Sequence, residues 1–320
     1  MGATNAWEGY FADPFALRTG DGYVAYGTNP ECSLDREFEI LTSPDLTHWK
    51  SAGGALTRPS KTIGTDFWAP EIAHSDDRWW MYYSVGHGIV GHHLRIAVAD
   101  SPTGPFEDLG INLTSHERFA IDAHPFQDQD GRWYLFFARD VLDADRPGTH
   151  LAVAPLTGMT AFAADPIEVL RPNADWQIYE RNRLIYGDRY TWHTLEGPSV
   201  IYREGRYWLT YSGGAWTGEH YAVSWAVSDS PLGPWRPAPS SASPLLRTGN
   251  HLIGPGHNSL TVAPDGSDAI VFHSWNPSRT RRELQVRRIV FGPDAPSVKT
   301  PTCGVPAPSQ HTCLDQTRIR

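Results

Sequence analysis

The chain has 320 residues, 40% hydrophobic and 20% charged, the balance of a globular protein with a large core. A formal net charge of −9 and the lack of any basic run speak against nucleic acid or an anionic membrane as partner, because polyanion binding needs concentrated Lys and Arg. Apolar stretches end well short of the ~20 residues of a membrane helix. The start, MGATNAWEGYFADPF, shows neither region of a secretory signal, so a cytoplasmic location is expected, or a secreted one if a signal has been cut away.

In chain order, five segments repeat one pattern: a polar leading residue, an apolar strand, a Gly/Asp turn and an aromatic strand. They are DPFALRTGDGYVAYGT from 13, WAPEIAHSDDRWWMYYSV from 68, IDAHPFQDQDGRWYLFFA from 121, LEGPSVIYREGRYWLTYSGG from 195 and GHNSLTVAPDGSDAIVFHSW from 256. Each reads as a hairpin, with turns GDG, SDDR, DQDG, REG and PDG that tolerate positive φ. A third strand follows in each: FEILTSPDLTHW, LRIAVADSPTGPF, THLAVAPLTGM, YAVSWAVSDSPLGPW and LQVRRIVFG. The leading residues fall at 13, 71, 122, 196 and 257, intervals of 58, 51, 74 and 61 residues. A blade of four short strands takes ~40–50 residues. Little of the chain carries a helical period, so the expected class is all-β, a five-bladed β-propeller forming one domain over residues 1–320, with a Pro-rich tail at 293–320. A sandwich would not return the same signature five times.

The first strand of a propeller blade lines the central channel, so the leading residues should face one cavity. Asp13, Asp122 and Glu196 would converge there, and paired carboxylates are what glycosidic bond cleavage requires. One protonates the leaving oxygen, another activates water or attacks carbon, and a third can raise the acid's pKa by like-charge repulsion. Read alone, each is a turn or cap residue; their recurrence at one repeat phase argues otherwise. Asp21, Asp128, Asp130 and Asp265 lie in the turns and are read as hairpin residues. The DQDG stretch is not an EF-hand, because loop positions one and twelve would be Phe126 and Phe137.

Of the cysteines, Cys32, Cys303 and Cys313 cannot all pair, which favours a reducing compartment, although a Cys303–Cys313 bridge in the tail stays open. No Cys-x-x-Cys pair suggests a zinc ribbon.

Asp13 in ADPF, WAPEI at 68 to 72, Asp122 in IDAHPF, Glu196 in LEGPSV and His257 in GPGHNSL, in this order and at blade spacing, together resemble glycoside hydrolase family 43 up to about Gly292. The resemblance implies an inverting mechanism with Asp13 as general base, Glu196 as general acid and Asp122 as pKa modulator. It also implies a calcium ion, or another cation, in the channel, held mainly by water and by His257. Without it, His257 reads as a buried histidine satisfied by backbone groups. Trp68 is expected in the floor of the sugar pocket, with a core tryptophan between blades as its alternative reading, and His124, a departure from many relatives, is expected either to contact the sugar or to pack. The long stretch DWQIYERNRLIYGDRYTWHT before Glu196 should shape the rim, with Trp192 or His193 near the leaving group and Trp216 as a further rim residue.

The implied activity is exo-hydrolysis of terminal α-L-arabinofuranose from arabinan or arabinoxylan oligosaccharides, with β-D-xylosidase and endo-arabinanase as alternatives within the family. A noncatalytic sugar-binding propeller is the alternative of another class, and a phosphorylase or fructosyl-transferring relative is a third.

Overall fold

The protein is described here from a computed structural model covering residues 7–20, 22–29 and 36–299. Asp21, Cys32, Cys303 and Cys313 lie outside the described residues, as does the tail from 300 onward.

The strands follow in chain order. Blade 1 is β1 (Ala12–Thr19), β2 (Gly22–Thr28), β3 (Arg36–Ser43) and β4 (Lys50–Thr57). Blade 2 is β5 (Asp66–Ser75), β6 (Arg78–His87), β7 (Val90–Ala99) and β8 (Glu107–Asn112). Blade 3 has β9 (Ala120–Gln127), β10 (Trp133–Val141) and β11 (Gly148–Thr157), with β12 (Ala161–Phe162) and β13 (Ile167–Leu170) on its outer edge. A short 3-10 turn, Asp175–Gln177, leads to β14 (Ile178–Ile185), which pairs with the first half of β15 (Asp188–Arg203). Blade 4 then runs β15, β16 (Arg206–Gly213), β17 (Ala222–Ser228) and β18 (Arg236–Pro237). Blade 5 is β19 (Gly256–Val262), β20 (Asp268–Trp275), β21 (Arg282–Phe291) and β22 (Pro296–Val298). Residues 296–298 are therefore the outer strand of the last blade, and the expected tail begins later than 293.

Each blade is an antiparallel ladder in chain order. The innermost strands β1, β5, β9, β15 and β19 pack in succession, and β19 returns to β1, which closes a five-bladed ring. The core follows the two-residue period of the strands. Tyr82 enters the cluster shared with blade 3 and Tyr83 the cluster shared with blade 1. Likewise Leu209 faces blade 3 and Trp208 blade 5. Five hydrophobic clusters result, one in each gap between neighbours. The gap between blades 5 and 1 holds Phe11, Leu41, Val271 and Leu284. Among the described residues no blade borrows a strand from the other chain end; besides packing, hydrogen bonds join the seam, among them the Phe11 N–H to the Arg282 carbonyl at 2.8 Å and the Tyr23 hydroxyl to the Val262 carbonyl at 2.8 Å.

Several hairpins turn on two residues with positive φ, Asp76–Asp77, Tyr186–Gly187 and Glu204–Gly205, the geometry that matches strand twist. The long stretch before Glu196 is thus ordered as a hairpin, β14 with the start of β15, rather than an irregular loop.

Candidate active site

Each innermost strand breaks its ladder at the same place, between Ala12 and Phe15, Trp68 and Glu71, Ile121 and His124, Glu196 and Ser199, and Gly256 and Ser259. Every break contains one residue with positive φ: Asp13 at 52°, Ala69 at 47°, Asp122 at 61°, Gly197 at 55° and His257 at 43°. Such bulges re-aim side chains, and Asp and His tolerate this conformation better than most residues. The amide at each bulge is fastened to the preceding blade. Ala69 N–H donates to Thr28 Oγ1 at 2.9 Å, Asp122 to Ser84 Oγ at 3.0 Å, His257 to Ser212 Oγ at 2.7 Å, and Asp13 to His273 Nδ1 at 3.1 Å. Blade 3 offers Ala138 at that position, whose side chain has no acceptor. Gly197 N–H instead donates to Asp122 Oδ2 at 2.9 Å.

This register corrects the sequence alignment in two blades. The residue equivalent to Asp13 is Ala69 rather than Glu71, and it is Gly197 rather than Glu196. Glu71 belongs to a second belt of buried polar groups two residues further on. In that belt, Val200 N–H donates to His124 Nε2 at 3.0 Å, Leu260 N–H to Ser199 Oγ at 3.2 Å, and Ala16 N–H to Ser259 Oγ at 3.1 Å. His124 Nδ1 lies 2.7 Å from Glu71 Oε2. With both ring nitrogens engaged between blades and no face on the cavity, His124 is placed as a tie of the ring, not at a sugar.

A cavity of about 260 Å³ opens at the axis. Asp13, Asp122, Glu196 and His257 line it, together with Trp68, Trp192 and Trp216. His193 does not; its Nε2 meets Arg146 at 3.0 Å. Trp68 stacks on His92 with ring centres 3.6 Å apart, which fixes its face toward the cavity. Trp216 lies over the Arg282 guanidinium at 4.5 Å.

The three carboxyl groups sit in different surroundings. Burial opposes ionisation of Asp13, but Arg282 Nη1 at 3.1 Å, with His257 and His273 each at 3.5 Å, outweighs it and holds the carboxyl well below the usual carboxylate range. Asp122 has no such cation. Burial, then Glu196, then Asp13 push it well above the usual value, while the Gly197 amide works the other way. Burial likewise pushes Glu196 up to about 7, against the Tyr221 hydroxyl that donates to its Oε1 at 2.6 Å, with the Asp13 charge adding to the rise. His257 Nδ1 stands 3.5 Å from Asp13 and 3.7 Å from Asp122, and burial lowers its pKa while the Asp13 charge works the other way.

The sequence reading missed Arg282 and Tyr221. Arg282 opens a third strand, as Arg36 does in blade 1, so its charge alone does not set it apart. Its only signal is a charged residue heading a strand that is buried throughout its first half. Tyr221 depends on Gly256, where an added Cβ would lie 1.8 Å from the phenol ring.

Among the described residues no three His, Cys, Asp or Glu groups are arranged to hold a metal ion. Calcium takes roughly 6–8 oxygen ligands. The donors present therefore fit only a largely hydrated ion touching His257, and Arg282 already supplies the cation at Asp13.

Comparison with known proteins agrees with this site. The family described as Glycosyl hydrolases family 43 matches residues 6–295. The chain is 30% identical over 300 residues to a β-D-galactofuranosidase of Aspergillus niger, covering 88% of this chain and 78% of that protein. It is 28% identical to an extracellular exo-α-(1→5)-L-arabinofuranosidase of Streptomyces avermitilis, covering 92% of this chain and 62% of that longer protein. A crystal structure of a thermostable family-43 glycoside hydrolase superposes with a TM-score of 0.78 at 30% identity, covering 94% of this chain and 95% of that one.

Proposed function

Since the chain belongs to glycosyl hydrolases family 43, whose members cleave glycosidic bonds, we propose that it is an inverting, exo-acting hydrolase that releases terminal α-L-arabinofuranose, or β-D-xylose, from arabinan or arabinoxylan oligosaccharides. The observation that carries this reading is the unequal surroundings of carboxyl groups facing one cavity: Asp13 lies 3.1 Å from the Arg282 guanidinium, which favours its ionised form, while Glu196 is held by the Tyr221 hydroxyl in a site whose burial pushes it up to about 7. Asp13 accepts a proton from water as the water oxygen bonds to the anomeric carbon. Glu196 gives its proton to the glycosidic oxygen as that bond breaks. Asp122 anchors the Gly197 amide next to Glu196 and so positions the acid, and the charge repulsion between the two carboxyl groups, seen in the raised Asp122 pKa, supports its role as pKa modulator. Trp68 offers a flat face to the sugar.

The cavity is smaller than the ~300–1,000 Å³ of drug-sized ligand sites, which suits a terminal sugar better than a threaded polymer. The galactofuranosidase among its relatives, acting on another five-membered sugar ring, adds that sugar to the substrates worth assaying. The test is turnover of 4-nitrophenyl α-L-arabinofuranoside, β-D-xyloside and β-D-galactofuranoside by the wild type and Glu196→Gln, with NMR of the first anomer released. No turnover of any, or equal rates for both proteins, sinks the enzyme reading; a retained anomer sinks inversion. We also propose a calcium ion in the channel, with His257 as its protein ligand and water as the remainder. A calcium-dependent rise in Tm after chelator treatment supports it, and an unchanged Tm removes it.

A further inference from the structure

The acid–base chemistry uses only the axial part of the cavity. Its wall between blades 3 and 4 carries a second polar group with no task in that chemistry. There β11 runs parallel to β15, pairing Gly148 with His193 and Thr149 with Thr194, while β10 pairs Asp140 with Thr149. Asp140, Thr149 and Thr194 thus form a row across three adjacent strands, and all three face the cavity. The β14–β15 hairpin brings Tyr186 and Arg183 to the same wall.

Asp140 is held by one donor on each oxygen, Thr149 Oγ1 at 3.1 Å and Tyr186 Oη at 2.7 Å. A carboxylate can accept about four hydrogen bonds, so both oxygens keep capacity. The Arg183 guanidinium is clamped between rings, 4.8 Å from the centre of Tyr179 and 5.2 Å from that of Trp192. It is 15% exposed, with its paired carboxylate, Glu180, at 4.0 Å. Among the described residues it makes no hydrogen bond. A planar fork of donors, fixed in place by aromatic faces and turned toward a cavity, is built to bind something.

The strand places this group relative to the scissile bond. Trp192, Thr194 and Glu196 alternate along β15 and all face the cavity. A strand advances ~3.3 Å per residue, so Trp192 stands ~13 Å from Glu196. The general acid sits beside the leaving oxygen, so the departing part of the substrate extends from Glu196 past Thr194 toward Trp192.

We propose that Asp140 and Arg183 form a leaving-group subsite that binds the hydroxyls of a neutral sugar beyond the scissile bond. A vicinal diol donates to the carboxylate and accepts from the guanidinium, and the adjacent opposite charges favour an uncharged sugar over a uronate. The inference rests on the glycosidase reading above.

The experiment compares kcat/KM for unsubstituted arabinobiose, arabinotriose, xylobiose and xylotriose with that for the corresponding 4-nitrophenyl glycosides, whose aryl group has no hydroxyl pair. For Arg183→Met and Asp140→Asn the expected loss on the oligosaccharides is at least tenfold larger than on the aryl glycosides, and lies mainly in KM. Arg183→Lys, which keeps charge but not the fork, should show the same selective loss to a smaller degree and guards against a folding defect in the others. Parallel losses on both substrate types, or none on the trisaccharides, overturn the subsite. A wild type inactive on every glycoside overturns the activity itself, a distinguishable result.

Discussion

Replacing Glu196 with Gln removes a proton carrier and also relieves a buried acid. The folded-state pKa of Glu196 is raised from 4.5 to about 7, chiefly by burial. For an acid with a raised pKa, the folded protein binds the proton more tightly than the unfolded chain. Its stabilising contribution is complete below the unfolded value and lost as pH rises through the folded value. At about 1.4 kcal/mol per unit, the ceiling is about 3–4 kcal/mol, and contact with cavity water lowers the expectation to about 2 kcal/mol. Gln pays no such penalty. The variant should therefore match the wild type in Tm near pH 4.5 and exceed it by roughly 4 °C at pH 8, with the gap opening between these pH values. Its kcat on oligosaccharides should fall by ~10²–10⁴, the usual worth of general acid catalysis. Calorimetry across pH 4.5–8, with progress curves at each pH, measures both. A Tm difference that is flat with pH would refute the claim that burial holds Glu196 protonated.

Arg282→Met leaves the buried Asp13 carboxylate without its cation; breaking a buried pair costs about 3–5 kcal/mol, so Tm should drop and the acidic limb of kcat/KM should move up in pH. An unmoved acidic limb would mean that Asp13 is not the base. Tyr221→Phe removes the hydrogen bond that lowers the Glu196 pKa, so the alkaline limb should shift upward with kcat down about tenfold; an unchanged pH profile would discount the contact. His124→Ala strands the Val200 amide and the buried Glu71 carboxyl, costing about 3 kcal/mol, while KM for the sugar should hold in the folded fraction. A selective rise in KM would restore His124 to the sugar site.

The ring was legible in the sequence because its signals are local. Hairpin turns such as SDDR and REG, and strands such as RWWMYYSV, announce themselves within a dozen residues. Asp13, Asp122 and His257 were legible for the same reason, since they head their repeats. What failed was register. A bulge adds a residue without a sequence mark, so Glu196 and Gly197 could not be told apart as the equivalent of Asp13, and Glu71 was aligned two positions late. His124 showed the same weakness: its partners Glu71 and Val200 come from two other blades and no spacing connects them. Arg282 and Tyr221 meet their carboxylates across 269 and 25 positions, on strands whose inward face is set only once the blades are assembled.

The base and its cation come from opposite ends of the chain, Asp13 from the first blade and Arg282 from the last, and they meet at a seam that no shared strand spans among the described residues, only packing and hydrogen bonds such as that of the Phe11 amide. A nascent chain that has made four sectors already owns every acidic group of the centre, yet its attacking-water partner is not electrostatically finished. Competence arrives with the final seam, so hydrolysis itself reports that the circle has shut.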